Sequence, residues 1–539
     1  MGRVVLVAIN AKYVHSSLAA WVLAGGVSTY ARLPHDVSVV EASINQPDIE
    51  IARRVADCRP DVVGISTYIW NARKLPGLLK LLREQIQDAV FVLGGPEVSF
   101  NADYWLGQGA DYVICGEGEI SFPELLDGLE RGDGWTQGGG AASFARECSG
   151  AAPLRPIDPY SDTYFAALGG RIAYLETSRG CPYQCAFCLS AGSGVRFFPL
   201  DTVKRQLRRL SESGTHTIKL VDRTFNCNAA RAYELFEYVI KLDTTCCFHF
   251  EVAADLFDER TLELLGSAPP GRIQLEAGLQ SFFEPALNAV SRHTDTDKAK
   301  RNIRALLRKG NIHVHVDLIA GLPFEALPDF VESFDQAYSL GAHTLQLGFL
   351  KLLHGSKLRS QAGEFGIIYS QEPPYEIISS PWLSVDDMRI LKQVENALQH
   401  TYNKCRFLSM LEYVLSASKL RTFELFRLLG EAAPNHGIQL EDYALQVYNF
   451  CAGLPGVDKN ELRDRMLYDW LGMVKGKNMP DFLKSSGNRR KQVLEIARKQ
   501  LGHKPGRYET AVLLSGKGIY VDSGDRDPVT GLYRVCSYN

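Results

Sequence analysis

The chain lacks an excess of either charge. Its 59 basic and 62 acidic side chains leave a formal net charge of −3 over 539 residues, which argues against a protein built wholly around nucleic-acid phosphates. It also lacks a long apolar run. None reaches the ~18 residues of a membrane span, and the nearest, 13–31, is broken by His15, Ser16, Ser17, Gly25 and Gly26. No basic stretch precedes the first apolar segment, and Asn10 and Lys12 end it early, so it makes a poor secretion signal and a cytoplasmic location is expected. The 12 cysteines are too sparse for a disulfide scaffold. Repeats and low-complexity tracts are missing too. What is present is an ordinary globular composition, 45% apolar and 22% charged. At about 100–200 residues per domain, the length accommodates three or four domains.

Continuous apolar runs at Val4–Ile9, Val37–Glu41, Asp61–Ser66, Val90–Leu93 and Asp111–Cys115 alternate with helical patterns such as Leu75–Glu84. Strands apolar on both faces imply a parallel sheet covered on both sides, a doubly wound α/β domain over residues 1–130. Residues 131–170, with Gly138-Gly139-Gly140, read as a linker. A second series of strands begins at Ile172–Thr177 and continues at Thr217–Asp222, Cys247–Ala253, Arg272–Leu279, His313–Ile319 and Thr344–Leu350. Six βα units over 171–375 predict a partial (β/α)6 barrel rather than a closed eight-stranded one. From 376 to 539 the pattern is mostly helical (385–402, 407–429, 440–451, 459–471) and ends in short strands near 508–514, 518–522 and 532–538.

Most cysteines stand alone and read as small, reduced, apolar side chains; Cys246 and Cys247 are neighbours on a strand and point to opposite faces. Only Cys181, Cys185 and Cys188 crowd together, in Thr177-Ser178-Arg179-Gly180-Cys181-Pro182-Tyr183-Gln184-Cys185-Ala186-Phe187-Cys188. Three thiolates on one short loop fold round one face of an iron–sulfur cube and leave one iron open. Zinc would want a fourth ligand, and no Cys or His stands at a suitable nearby spacing. A redox dithiol needs no third cysteine. The loop follows a barrel strand, at the end where barrel active sites lie.

The C-x3-C-x-aromatic-C spacing, with Phe187 as the aromatic, resembles the radical S-adenosylmethionine (SAM) superfamily. The resemblance implies that Cys181, Cys185 and Cys188 hold a [4Fe-4S] cluster, that the open iron binds SAM, and that Phe187 lies by the adenine. It implies reductive cleavage of SAM to a hydrogen-abstracting radical, and a low-potential electron donor such as flavodoxin or ferredoxin. Three more strand ends face the same mouth: Asp222-Arg223-Thr224-Phe225, the segment from Glu276 to Ser281, and the segment from Asp317 to Pro323. Asp222 and Arg223 either pair with one another or serve the cofactor, with Arg223 suited to the methionine carboxylate. Glu276 and Gln280 suit the ribose hydroxyls or the methionine ammonium. Many cobalamin-dependent members carry a second acid where Arg223 stands here.

The first domain has no G-x-G-x-x-G after its first strand, so it is not read as a dinucleotide site. Its strand ends instead carry small or polar loops with Tyr13, Ser66, Thr67, Gly94, Gly95, Glu97, Gly116, Glu117 and Gly118, which let a bulky flat ligand approach the backbone. In front of a radical SAM barrel, this looks like the cobalamin-binding domain of the cobalamin-dependent class. D-x-H-x-x-G, whose His ligates cobalt in other cobalamin enzymes, is missing, so cobalt without a protein His ligand is expected. Together these imply a methyltransferase acting on an unactivated carbon, using one SAM for the methyl group and another for the radical. The alternatives are a cobalamin-dependent cyclisation, rearrangement or oxidation without methyl transfer, and an iron–sulfur redox sensor or binding protein. The substrate stays open among small molecule, peptide and RNA. The segment Lys475–Arg507, at net +8, reads either as a solvated helix face or as a patch for a polyanion.

Overall fold

The computed structural model describes residues 2–132, 142–145, 157–435, 437–473, 479–484, 488–502, 504 and 506–538. The glycine run 138–140 and Cys148 lie outside the described residues, as do Lys475, Lys477 and other positions of the basic segment. Among the described residues, no helix is long and apolar enough to cross a membrane.

The chain forms two compact units: residues 1–252 with 290–292 and 350–378, and residues 253–289 with 293–349 and 379–539. In the first, strands β1 (Arg3–Asn10), β2 (Asp36–Ser43), β3 (Val62–Ser66), β4 (Val90–Gly94) and β5 (Tyr112–Cys115) make a parallel sheet in the order β2-β1-β3-β4-β5. A sixth strand, β6 (Ala142–Ala145), pairs in parallel with β5 inside the stretch read as a linker. The apolar runs explain the layering. Val5, Val7 and Ile9 of β1 join one core with Ile51 and Leu78, while Val4, Leu6 and Ala8 join another with Phe122 and Leu125. Two buried faces require helices on both, as the sequence pattern implied. The chain reverses order between β1 and β3, which puts the carboxyl-end crevice of the sheet at the loops after those strands.

The second sheet is parallel and six-stranded, ordered β14-β13-β12-β11-β10-β7. Its members are β7 (Ala173–Leu175), β10 (Thr217–Leu220), β11 (Cys247–Val252), β12 (Ile273–Gln280), β13 (His313–Ala320) and β14 (Thr344–Phe349). Between β7 and β10 the chain makes an antiparallel hairpin, β8 (Ser178–Cys181) with β9 (Gly194–Phe197). The cysteine loop is therefore anchored in a hairpin, where the sequence suggested loop alone. Gly180 makes this possible: at φ +97°, a Cβ there would lie 1.8 Å from the Gly194 carbonyl oxygen.

Beyond these strands the second unit is helical, with helices at Val385–His400, Leu408–Ser418, Thr422–Ala432, Leu440–Cys451, Lys459–Met473 and Asn488–Leu501. The helix expected over 407–429 is two helices, because Lys419 takes a left-handed φ of +57° and ends the first. Three antiparallel strands, Tyr508–Val512, Gly518–Arg526 and Tyr533–Tyr538, close the chain.

Candidate functional site

In the first unit, Cys181 and Cys185 are buried, Cys188 is partly buried, and all three are reduced. The loop between them is pinned from both sides: Ala186 N–H donates to the Val290 carbonyl at 2.9 Å, and its own carbonyl accepts from Leu358 N–H at 2.8 Å. Cys181 Sγ lies 3.6 Å from the Thr224 hydroxyl, and Arg292 Nη1 lies 3.7 Å from Cys185 Sγ. Burial pushes the Cys188 thiol up, aided by the neighbouring Cys185 and Cys181. A metal would reverse that shift, because coordination deprotonates thiols. Among the described residues, the three sulfurs do not all lie within 4.8 Å of one another. Tetrahedral zinc thiolates would place sulfurs about 4 Å apart, so this donor set fits a multi-iron cluster better than a single ion. Phe187 sits between the last two cysteines, half-buried.

Asp222 is buried, and its carboxylate faces the hairpin. It accepts from Thr177 N–H at 3.0 Å, from the Thr177 hydroxyl at 2.7 Å and from the Ser178 hydroxyl. No ion pair joins it to Arg223, so the suggested mutual pairing is not what forms. Arg223 is exposed, with its charge felt at Cys188 and at Tyr68. The sequence reading missed Arg292 because nothing local marks it; it reaches Cys185 across 107 residues.

The loops of the first domain divide into two kinds. Some are spoken for by protein contacts. Glu97 is buried and accepts from the Tyr375 hydroxyl, and Glu117 pairs with Arg196 and Arg179. Ser66 Oγ points at the Val7 carbonyl at 3.5 Å, and the His15 ring meets the Tyr174 hydroxyl at 2.6 Å. Burial and the charge of Lys219 keep His15 below its ordinary value. Others suit a large flat ligand. Tyr13 is 80% exposed, and the buried Thr67 Oγ1 has no hydrogen-bond partner among the described residues. Gly95, at φ +113°, would put a Cβ 2.6 Å from the Thr67 carbonyl, so only glycine lets these two loops close together. Gly94 and Gly116 leave open space or ordinary contact, and Gly118 packs on Leu23.

In the second unit, β12 and β13 alternate buried with half-buried residues, so one face of this parallel sheet is polar. Glu276 stands opposite His315, and Gly278 opposite Asp317. His315 Nε2 lies 2.9 Å from Asp317 Oδ1, and its Nδ1 lies 3.7 Å from Glu276. These three bring ligand atoms within 4.8 Å of one another. At the strand end the register shifts, and Gln280 adopts φ +71° with its amide folded over Gly278, where a Cβ would meet Nε2 at 2.3 Å. Strain of this kind gathers at functional positions. Next to it, Ser281 and Ser333 donate to the fully buried Glu325 at 2.6 and 3.0 Å. Burial pushes that carboxyl up to about 7.

Comparison with known families gives this layout its name. Residues 4–126 match the B12 binding domain, residues 175–337 the radical SAM superfamily, and residues 363–505 a family described as "Protein of unknown function (DUF4080)". The chain thus carries a B12 binding domain followed by a radical SAM domain. The hopanoid C-3 methylase of Methylococcus capsulatus is 27% identical over 241 residues, covering 42% of this chain and 46% of that protein. The cobalamin-dependent radical SAM methyltransferase TokK of Streptomyces tokunonensis is 24% identical over 352 residues, covering 60% and 51%. The anaerobic magnesium-protoporphyrin IX monomethyl ester cyclase of Rubrivivax gelatinosus is 23% identical over 346 residues, covering 59% and 60%. The chain spans about half the length of the first curated relatives it matches. In fold it is similar to the cobalamin-dependent radical SAM enzyme OxsB, with a TM-score of 0.58 at 16% identity, covering 87% of this chain and 78% of that one. The methyltransferase TsrM from Kitasatospora setae gives 0.55 at 17%, covering 70% and 80%.

Proposed function

We propose that this protein is a cobalamin-dependent radical SAM methyltransferase that acts on an unactivated carbon. The observation that carries the reading is the union, in one chain, of a three-thiol loop and a B12 binding domain. A radical alone removes hydrogen; it delivers no methyl group. When bound, the cluster and SAM supply the radical and cobalamin supplies the methyl group.

The chain's own residues bind and orient. Cys181, Cys185 and Cys188 hold the cluster, and Asp222 fixes the hairpin they hang from. Arg292, beside Cys185, is positioned to pair with a carboxylate on the open iron, with Arg223 as a second cation at the same loop. Phe187 lies by the adenine, and Glu276 and Gln280 accept from SAM's hydroxyls or ammonium. Gly94, Gly95, Thr67, Gly116 and Tyr13 line the corrin crevice at the carboxyl ends of the first sheet. The protein works in the cytoplasm with a low-potential electron donor. Its substrate is a small molecule, a peptide or RNA.

The test uses reconstituted protein, methyl-labelled SAM, a low-potential reductant and candidate substrate extracts. One S-adenosylhomocysteine and one 5′-deoxyadenosine per labelled product are expected. The match to the magnesium-protoporphyrin ester cyclase favours a second reading, radical chemistry without methyl transfer. That reading predicts 5′-deoxyadenosine with neither S-adenosylhomocysteine nor labelled product.

A further inference from the structure

The hairpin that carries Cys181 has an electrostatic flaw. Arg179 stands directly opposite Arg196 across β8 and β9, one residue from Gly180 and two from Cys181. Like charges in directly opposed positions push strands apart. The correction comes from the loop after β5 and the first turn of the helix that follows it (Gly118–Arg131), in the B12 binding domain. Glu117 reaches both guanidiniums, Arg196 by a close contact and Arg179 Nη1 at 3.3 Å. Glu119 takes Arg179 Nη2 at 2.6 Å, and Glu176, just before the hairpin, takes Nη2 and Nε at 2.6 and 3.0 Å. The five side chains are 16–27% exposed, so this is no solvent-screened surface pair.

Protonation agrees with the geometry. Burial pushes Glu117 up, yet Arg196 and Arg179 more than offset it and hold it below the usual carboxylate range. Glu117 therefore lacks a free carboxylate to offer a corrin, although its loop borders the expected corrin crevice. Gly116, next to it, is fixed by its N–H to the Ser99 hydroxyl at 3.1 Å. The same four-residue stretch leaves open space at Gly116, on the side of the expected corrin crevice, and grips the cluster hairpin with its acids.

We propose that Glu117 and Glu119 are positioning residues that clamp the cluster hairpin to the corrin-side loop, so that occupancy of one cofactor site is felt at the other. The proposal rests on the cofactor assignment made above. Coupling of this kind is reciprocal and amounts to about 5–150-fold in affinity where it operates.

The test measures the affinity of full-length protein for hydroxocobalamin by its corrin absorbance, with the cluster present and after its removal by chelation. For wild-type protein the two dissociation constants should differ by about fivefold or more. In Glu117→Gln/Glu119→Gln, where Glu176 still pairs with Arg179 and keeps the hairpin closed, the cluster should still reconstitute, while the two constants, for cluster-loaded and cluster-free protein, converge. Exchanging the charges of one pair, Glu117→Arg with Arg196→Glu, should restore part of the difference, which a general loss of stability would not do. Should the double variant not fold, Glu119→Gln alone should reduce the ratio. Equal constants in wild-type protein, or an undiminished ratio in the variants, overturn the clamp. Wild-type protein that takes up no corrin overturns the cofactor assignment beneath it and the proposal with it.

Discussion

The Thr177 side chain and backbone both donate to one carboxylate, that of Asp222, at 2.7 and 3.0 Å. Ser178 adds a third bond, so the end of β10 holds the first residues of the cluster hairpin by a buried acid. Burial raises the carboxyl, and the hydroxyls and N–H of Thr177 and Ser178 work against that rise. Asp222→Ala strands three donors in the interior, at about 1–3 kcal/mol for each left unsatisfied. The expected outcome is a lower thermal midpoint and reduced iron per chain, with corrin uptake by the first domain retained. Iron and sulfide analysis alongside the corrin absorbance checks it. Unchanged iron would return Asp222 to the role of a direct cofactor contact.

Gly180 should tolerate no side chain. Its φ of +97° and the Gly194 oxygen 1.8 Å from a would-be Cβ combine backbone strain, about 1–3 kcal/mol, with a clash against backbone that cannot swing aside. Gly180→Ala should open the hairpin and lose the cluster while far-ultraviolet circular dichroism stays near wild type. A full cluster in this variant would show that the thiol loop does not depend on β8 pairing with β9.

The layers of the fold were legible because both signals are local. Val4–Ile9 buries both faces and reads as a covered parallel strand, whereas Glu276, Gly278 and Gln280 alternate with Leu275, Ala277 and Leu279. The three cysteines were legible for the same reason, falling within one loop. Arg292 and Glu117 were not: each meets its partner across many residues, at 107 for Arg292 to Cys185 and 79 for Glu117 to Arg196. Sequence spacing carries no trace of such a meeting. Glu97 and Glu117 were read as corrin contacts because they stand in the right loops; only the side-chain partners, Tyr375 and the two arginines, show what holds them.

The thiol assignment separates cleanly by substitution. Cys181→Ala, Cys185→Ala and Cys188→Ala should each abolish the cluster, counted as iron and sulfide after anaerobic reconstitution. Cys246→Ala and Cys247→Ala should keep it. Cys246 Sγ instead donates to the Thr215 carbonyl at 2.9 Å, so its loss costs only a local bond, about 1 kcal/mol. Cys227 gives a sharper control, because burial and, after it, the neighbouring Cys181 push its thiol up. Cys227→Ser should leave the cluster content unchanged; a drop to that of the triad variants would make it a ligand.

Glu325 sets a pH dependence of known sign. Burial lifts its carboxyl from an ordinary 4.5 to about 7, against the bonds from Ser281 and Ser333. The folded chain therefore holds this proton more tightly than the unfolded one. A raised carboxyl pKa contributes stability that is whole below about 4.5 and is lost as the pH climbs through about 7. A shift of that size corresponds to about 3 kcal/mol at most. Glu325→Gln keeps an acceptor for both serines and removes the ionisation, so it should match wild type near pH 5 and exceed it at pH 8. Asp469, also buried and pushed up to about 6, titrates in the same window. For that reason the measurement is the difference between variant and wild-type unfolding midpoints at the two pH values, in which the Asp469 contribution cancels. A difference that does not grow from pH 5 to pH 8 would mean that Glu325 is already ionised in the folded protein, with its second oxygen reached by water.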